Sequence, residues 1–240
     1  MFMIGKGKMT SFKWNKLYEY PKSVRELVND KRHYAINDSK LPSVTTILDQ
    51  TKSEETKASL ARWRQKVGEK EAERIKNAST TRGTKMHSII EGYLLGNNVL
   101  DLTETGGEAH RMANTIIDKG LPDLEEIQGL ECVLHYPDLY AGSSDLVGIY
   151  QGRESIIDFK STSKPKRDEY ITDYYLQACL YAIAHNYVYG SDIDQAVILM
   201  TTPDCFFQRF IINGKRMREF AQLAIERVGK YYGKSYATLA

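Results

Sequence analysis

The sequence predicts a mixed α+β domain, a mixed central sheet flanked by helices, with a helical N-terminal half. Three observations predict it. Residues 53–119 carry apolar positions at helical spacing, with Gly and Asn as stops. Residues 127–160 change to short β-branched runs separated by turn residues. Beyond them come a helix, a second strand pair and a last helix, so the order is helices, three strands, helix, two strands, helix.

Residues 1–40 are polar and aromatic by turns and read as an N-terminal arm, irregular apart from a short helix near Ser23–Asn29. Leu41-Pro42 and Ser43–Leu48 start the first regular element. Residues 41–240 read as a single domain, 41–120 mainly helical and 121–240 the sheet core and C-terminal helix. Residues 53–77 form a long helix with a thin stripe of Leu60, Trp63, Val67 and Ile75, suited to a helix lying on the surface. Thr80–Gly83 breaks that pattern. A second helix covers Thr84–Leu95 and a third Gly107–Lys119. Strands follow at Ile127–His135, Ser143–Tyr150 and Glu154–Lys160, with turns at Pro137-Asp138 and Gln151-Gly152. Residues 168–188 are helical, Gln195–Thr202 and Phe206–Ile212 pair as strands, and Arg216–Tyr232 is the final helix.

Composition bounds the function. A chain of 240 residues, 42% hydrophobic, holds one large domain or two small ones. The net charge of +2 neither demands nor excludes a nucleic-acid partner, because a basic groove can sit beside an acidic metal site. Cys132, Cys179 and Cys205 are scattered and cannot supply the thiolates of an iron–sulfur cluster or a Cys-rich zinc site. They suit a reducing intracellular compartment, cytoplasmic by default. No apolar run is long enough for a transmembrane helix, so no membrane partner is expected. Residues 1–14 lack the apolar core of a secretory signal; a mitochondrial leader has only a basic, acid-free stretch to support it. A monomer is the default expectation.

The chemistry concentrates in residues 142–163, GSSDLVGIYQGRESIIDFKSTS. If Gln151-Gly152 is a two-residue hairpin loop, Tyr150 opposes Arg153 and the register carries Asp145 opposite Asp158, with Lys160 on the same face as Asp158. A three-residue loop without a bulge would set Asp145 against Phe159 instead. Two adjacent carboxylates on a half-buried sheet repel, and a divalent cation is the natural compensation. Hard oxygen donors select Mg²⁺ or Mn²⁺. Lys160 then either orients or helps deprotonate a water, or stabilises charge on a scissile phosphate. A second D-x-K triplet, Asp38-Ser39-Lys40, lies in a polar stretch and reads as a solvated loop.

The motif order extends this. Gly83-Thr84-Lys85-Met86-His87 opens a helix, Glu131 sits in a strand, Gly142-Ser143-Ser144-Asp145 precedes Ile157-Asp158-Phe159-Lys160, and Gln177-Ala178-Cys179-Leu180-Tyr181 follows on a helix. This set resembles the RecB-like branch of the PD-(D/E)XK nuclease superfamily. Leu41–Leu48 and Trp63 add a narrower likeness to mitochondrial genome maintenance exonucleases and their phage relatives. The resemblance spans Leu41 to Tyr181.

It implies a restriction-endonuclease-like core and residue roles. His87, Asp145, Asp158 and the main-chain carbonyl of Phe159 would bind the metal. Glu131 would hold a ligand water or a second ion, and Lys160 would be the catalytic lysine. Gln177 and Tyr181, one turn apart, would brace the site or touch the DNA backbone, and Glu91 would support His87. The implied activity is metal-dependent hydrolysis of DNA from free ends, on single strands, in replication, recombination or repair, with no iron–sulfur cluster. The rivals are a duplex-end or flap nuclease, a non-catalytic DNA-binding module on a nuclease fold, and a metal-stabilised structural protein. Lys164, Lys166 and Arg167 are either phosphate contacts or a solvated loop. Trp63, beside Arg62, Arg64 and Lys66, is a core anchor by its place on the apolar stripe or a stacking platform for a single strand. Tyr170, Tyr174 and Tyr181 read alternatively as a packing stripe.

Overall fold

The Gln151-Gly152 turn sets the register of the main sheet. Both residues have positive φ (50° and 75°), as a tight hairpin turn requires, and Gly152 has open space where a Cβ would stand. A computed structural model describes residues 12–97, 99, 101 and 103–236 of the chain; most of the basic N-terminal segment, residues 1–11, lies outside them. From the turn, β6 (Tyr140–Tyr150) and β7 (Arg153–Ser161) pair antiparallel, Tyr150 opposite Arg153 through Leu146 opposite Ile157. The two-residue loop is therefore the one observed.

Around this hairpin the main sheet takes the order β1-β5-β6-β7-β8-β9. Here β1 is Lys13–Trp14, β5 Leu124–Tyr136, β8 Gln195–Thr201 and β9 Phe207–Asn213. The pairs β1–β5 and β7–β8 are parallel and the others antiparallel, so the sheet is mixed. Alternation along β7 divides the interior. Ile156 joins a core formed with α1 (Val44–Gln50), α5 (Thr172–Tyr189) and α6 (Gly214–Tyr232). Ile157 and Phe159 join a second core, with Met86 and Ile90 of α3 (Glu69–Leu94) and Met112 and Ile116 of α4 (Glu104–Lys119). Each fully buried large apolar side chain contributes roughly 1.5–3 kcal/mol.

Three sequence expectations are corrected. The segment near Ser23–Asn29 is not helical. Val24–Val28 is strand β2, paired with β3 (Lys31–Ile36), which pairs with β4 (Ser39–Pro42) in a separate three-stranded sheet. Asn29 and Asp30 both take positive φ (51° and 59°), which turns β2 onto β3. The small sheet is tied to the main one through a bridge from Ser43 to Ala141, and Tyr34, Ile36 and Leu41 bury against Ala141.

The second correction moves the helix break from Thr80–Gly83 to Gly68, whose φ is 86°. Helix α2 (Glu54–Val67) ends there and α3 continues through Thr80 and Gly83. Thr80 keeps its place by bonding back to the Lys76 carbonyl, 3.0 Å. A Cβ on Gly83 would stand 3.2 Å from Ser161 Oγ, so tertiary closeness to β7 explains a glycine inside a helix. The third concerns Trp63 as a core anchor. No residue of α2 is buried and Trp63 is 38% exposed, so the narrow stripe marks a helix lying outside the core.

Behind the sheet, His185 is fully buried among the rings of Tyr18, Tyr20 and Tyr189. Its Nε2 meets Tyr20 OH at 3.1 Å and its Nδ1 meets Ser191 Oγ at 2.6 Å. Burial lowers its pKa from 6.5 to about 4. Between those values the unfolded chain binds a proton that the native state excludes, so stability is lost as pH falls through that window. The loss is at most about 1.4 kcal/mol per pH unit. Melting temperatures measured from pH 6.5 down to 4 should fall less for His185→Gln than for wild type; equal slopes would exclude His185 as a source of acid sensitivity.

Candidate active site

The candidate site lies where the central hairpin forks. The β6–β7 ladder stops at Leu146–Ile157. Beyond it β6 continues with β5 as far as Tyr140, while β7 continues with β8 as far as Ser161–Thr201. Asp145 and Asp158 are the first residues past the fork, one on each strand. The Asp145 carboxylate replaces the missing ladder bond by accepting the Phe159 N–H at its Oδ2, 2.7 Å. This contact brings the Phe159 main chain to the site.

Other elements enter the fork from both sides. His87 of α3 places Nδ1 3.4 Å from Asp145 Oδ1. Glu131 of β5 receives the Ser143 hydroxyl hydrogen bond at 3.2 Å. His87, Glu131 and Asp145 each offer a ligand atom, all within 4.8 Å of one another. Asp158 lies apart from that trio, with Lys160 Nζ 2.5 Å from its Oδ2. That oxygen is shielded from solvent and has no hydrogen bond of good geometry. Lys160 also lies 5.2 Å from the centre of the Tyr174 ring. From α5, Gln177 donates to Tyr181 OH at 3.0 Å. Gly142 makes room for that tyrosine, since a Cβ there would stand 2.5 Å from a ring carbon.

These side chains open into a cleft of about 720 Å³, also lined by Glu91 and by Arg25, Arg32 and Tyr34 of the small sheet. Of the sequence-predicted residues, His87, Glu131, Asp145, Asp158, Lys160, Gln177, Tyr181 and Glu91 line it together. Trp63, Lys164, Lys166 and Arg167 do not. Arg167 faces Glu169 at 3.8 Å, and the Lys166 N–H and carbonyl are bonded to Gln208. Lys164 and Arg167 are exposed and Lys166 is half-buried. Arg25, Arg32 and Thr45 are lining residues that the sequence reading missed. The signal for the arginines was the two-residue alternation Arg25-x-Leu27 and Arg32-x-Tyr34, hidden by reading the first pair as helix and the second as irregular arm.

The electrostatics are those of an anionic cluster short of a cation. Burial would lower the His87 pKa, but the Asp145 carboxylate outweighs it and raises it to about 9. Burial pushes Asp158 up to about 6 against the pull of Lys160. Burial and the nearby Asp145 also raise Glu131. Asp145 resists burial and stays low, held by His87, Lys160 and the Phe159 N–H. Lys160 likewise resists burial: Asp158 and Asp145 keep its pKa above the ordinary lysine value.

Glu131 is also strained. Its φ is 50°, in the left-handed region, within an otherwise extended strand. The β5–β6 ladder pairs Leu130 with Leu146 and Cys132 with Ser144 but does not pair Glu131 with Asp145. A side chain in that conformation costs about 1–2 kcal/mol, and such outliers concentrate at functional sites. Urea unfolding should rank Glu131→Gly above Glu131→Ala by about 1 kcal/mol, the reverse of the usual strand order. Ala equal to or above Gly would remove the strain.

No family model matches the chain. Curated relatives do. It is 29% identical over 174 residues to mitochondrial genome maintenance exonuclease 1 of Mus musculus, covering 68% of this chain and 50% of that protein. The Xenopus tropicalis and Homo sapiens proteins of the same name are 28% and 27% identical, each over 172 residues. The chain thus spans about half the length of the curated relatives it matches. A solved structure described as a candidate exonuclease, from Eubacterium rectale, aligns at 13% identity with a TM-score of 0.46, covering 66% of this chain and 69% of that one. Over 68% of its length, then, the chain resembles a nuclease superfamily represented by named exonucleases.

Proposed function

We propose that this chain is a metal-dependent deoxyribonuclease that hydrolyses phosphodiester bonds from free DNA ends, on single strands, in replication, recombination or repair. The observation that carries the reading is the fork itself. His87, Glu131 and Asp145 meet there, with Asp158 and the half-buried Lys160 paired beside them in the same open cleft. The sequence likeness to named exonucleases supports the reaction class.

The donor set fits a hard divalent ion. Carboxylate oxygens with a single imidazole suit Mg²⁺ or Mn²⁺, and the shielded Oδ2 of Asp158 lacks a well-formed hydrogen bond. His87, Asp145, Asp158 and the Phe159 carbonyl would hold the ion, with Glu131 at its edge through a water or a second ion. When bound, it polarises the phosphate and makes hydroxide available near neutral pH.

The chain's own groups do the rest. Of its two expected roles, Lys160, its ammonium set beside Asp158 Oδ2, serves better as a fixed cation where the phosphate gains negative charge. The Gln177–Tyr181 pair stiffens the opposite wall. Tyr174 sits under the Lys160 ammonium and keeps it aimed into the cleft.

Wild type and Lys160→Ala should be compared on end-labelled linear and circular single-stranded DNA, with Mg²⁺, Mn²⁺ or EDTA. The expected result is digestion of the linear strand alone, stopped by EDTA and reduced by roughly 10²–10³ in the variant. Undiminished activity in a folded variant would remove Lys160 from the mechanism. Cutting of circles would make the enzyme an endonuclease, and an inert folded wild type would leave a DNA-binding module.

A further inference from the structure

The small sheet has two chemically different faces. Opposed residues of an antiparallel pair share a face, as do residues two apart on one strand. Arg25 opposes Tyr34 and Leu27 opposes Arg32, so these four residues lie on one face. Glu26 and Lys40 lie on the other, joined by an ion pair at 2.7 Å. Lys40 on that face is therefore neutralised locally, while Lys31, also on it, bonds the neutral Gln50 Oε1 at 3.0 Å.

The cations of the inner face are not neutralised. Arg25 and Arg32 line the cleft that holds the carboxylate cluster. Among the described residues neither has an acidic partner; the Arg25 guanidinium lies 5.7 Å from the centre of the buried Tyr34 ring. Tyr34 is 2% exposed, so the ring is a fixed platform and Arg25 is preoriented. Arg32 is anchored by its main chain, whose carbonyl accepts from Ser43 N at 3.0 Å and Thr46 Oγ1 at 3.1 Å.

A second groove of about 730 Å³ adjoins the cleft and shares Arg32, Thr45, Tyr174 and Gln177 with it. Its wall includes Leu27, 75% exposed and on the same sheet face as the arginines. Arg32 thus stands on the ridge between the two, with an apolar side chain beyond it. Two cations and an apolar side chain grouped on one sheet face beside an anionic cluster match a single nucleic-acid strand, with phosphates on the arginines and a base on the leucine.

We propose that the β2–β3–β4 sheet is a phosphate clamp. Arg25 and Arg32 grip the DNA strand next to the scissile phosphate, and Arg32 guides it over the ridge into the second groove, where a base rests on Leu27. This rests on the nuclease reading of the fork. Arg25 and Arg32 are positioning residues that counter the repulsion between the strand and the carboxylate cluster.

The test is binding, separated from cleavage by working in EDTA. A short fluorescein-labelled oligothymidylate is titrated with wild type, Arg25→Ala, Arg32→Ala, the double variant and Lys40→Ala at stepped potassium chloride concentrations. Each arginine variant should lower the slope of log K against log salt by about 0.7, and the double variant should bind roughly tenfold more weakly. Lys40→Ala, on the outer face, should match wild type. Arg32→Lys should recover the salt slope, since the charge is retained. Melting temperatures close to wild type would show that the sheet is intact, as expected for two exposed side chains. Arginine variants with wild-type affinity and slope would overturn the clamp while leaving the nuclease reading standing. A wild type that neither binds nor cuts DNA would instead remove that reading, and the clamp with it.

Discussion

The separation of β6 from β7 at Asp145 and Asp158 is the constraint on which the rest of the site depends. A continuous hairpin would bury the two carboxylates side by side in an unbroken ladder. The fork gives each strand a different partner, β5 for one and β8 for the other, and leaves a notch between them. Asp145 holds the notch at a fixed width by capping the Phe159 N–H with its own side chain. Helix α3 can then deliver His87 from one layer and α5 can deliver Gln177 and Tyr181 from the other. The fork is what lets both helical layers reach one point.

This geometry is locally unfavourable. Carboxylates accumulate in a shielded place, and His87 beside Asp145 and the Lys160 ammonium beside Asp158 offset part of their charge. Glu131 adds backbone strain to reach the same point. Two well-filled cores, above and below β7, hold it in place. Strain and crowded carboxylates gathered at one point are the stability pattern expected where function selects the arrangement.

Much of this was legible in the sequence, for identifiable reasons. Gln151-Gly152 is a turn whose chemistry fixes its own length, so the register from Tyr150–Arg153 to Leu146–Ile157 could be counted, whereas the parting of the strands at the two aspartates, expected to oppose each other directly, could not. The main strands were legible because β-branched runs and turn residues agree there. Helix α3 was cut in the wrong place because Gly83 signals a break, whereas its closeness to Ser161 is a tertiary fact. The small sheet was missed because Val24–Val28 is short and largely exposed, leaving no core face to reveal its period. Its arginines were lost with it. The strain at Glu131 has no local signal, since it follows from how β5 passes Asp145.

The hairpin turn places an unusual demand on descent. Phe159 belongs to one core, while Asp158 and Lys160 face the cleft. One residue added to the turn would move every side chain of β7 to the opposite face. The phenylalanine would then enter the cleft, and the aspartate and lysine would enter the apolar interior. Loops elsewhere on the surface can lengthen gradually through a lineage. This one, roughly 20 Å from the carboxylates it aligns, can lengthen only where a β-bulge absorbs the added residue. A longer turn among descendants that keep the site would therefore carry such a bulge beside it.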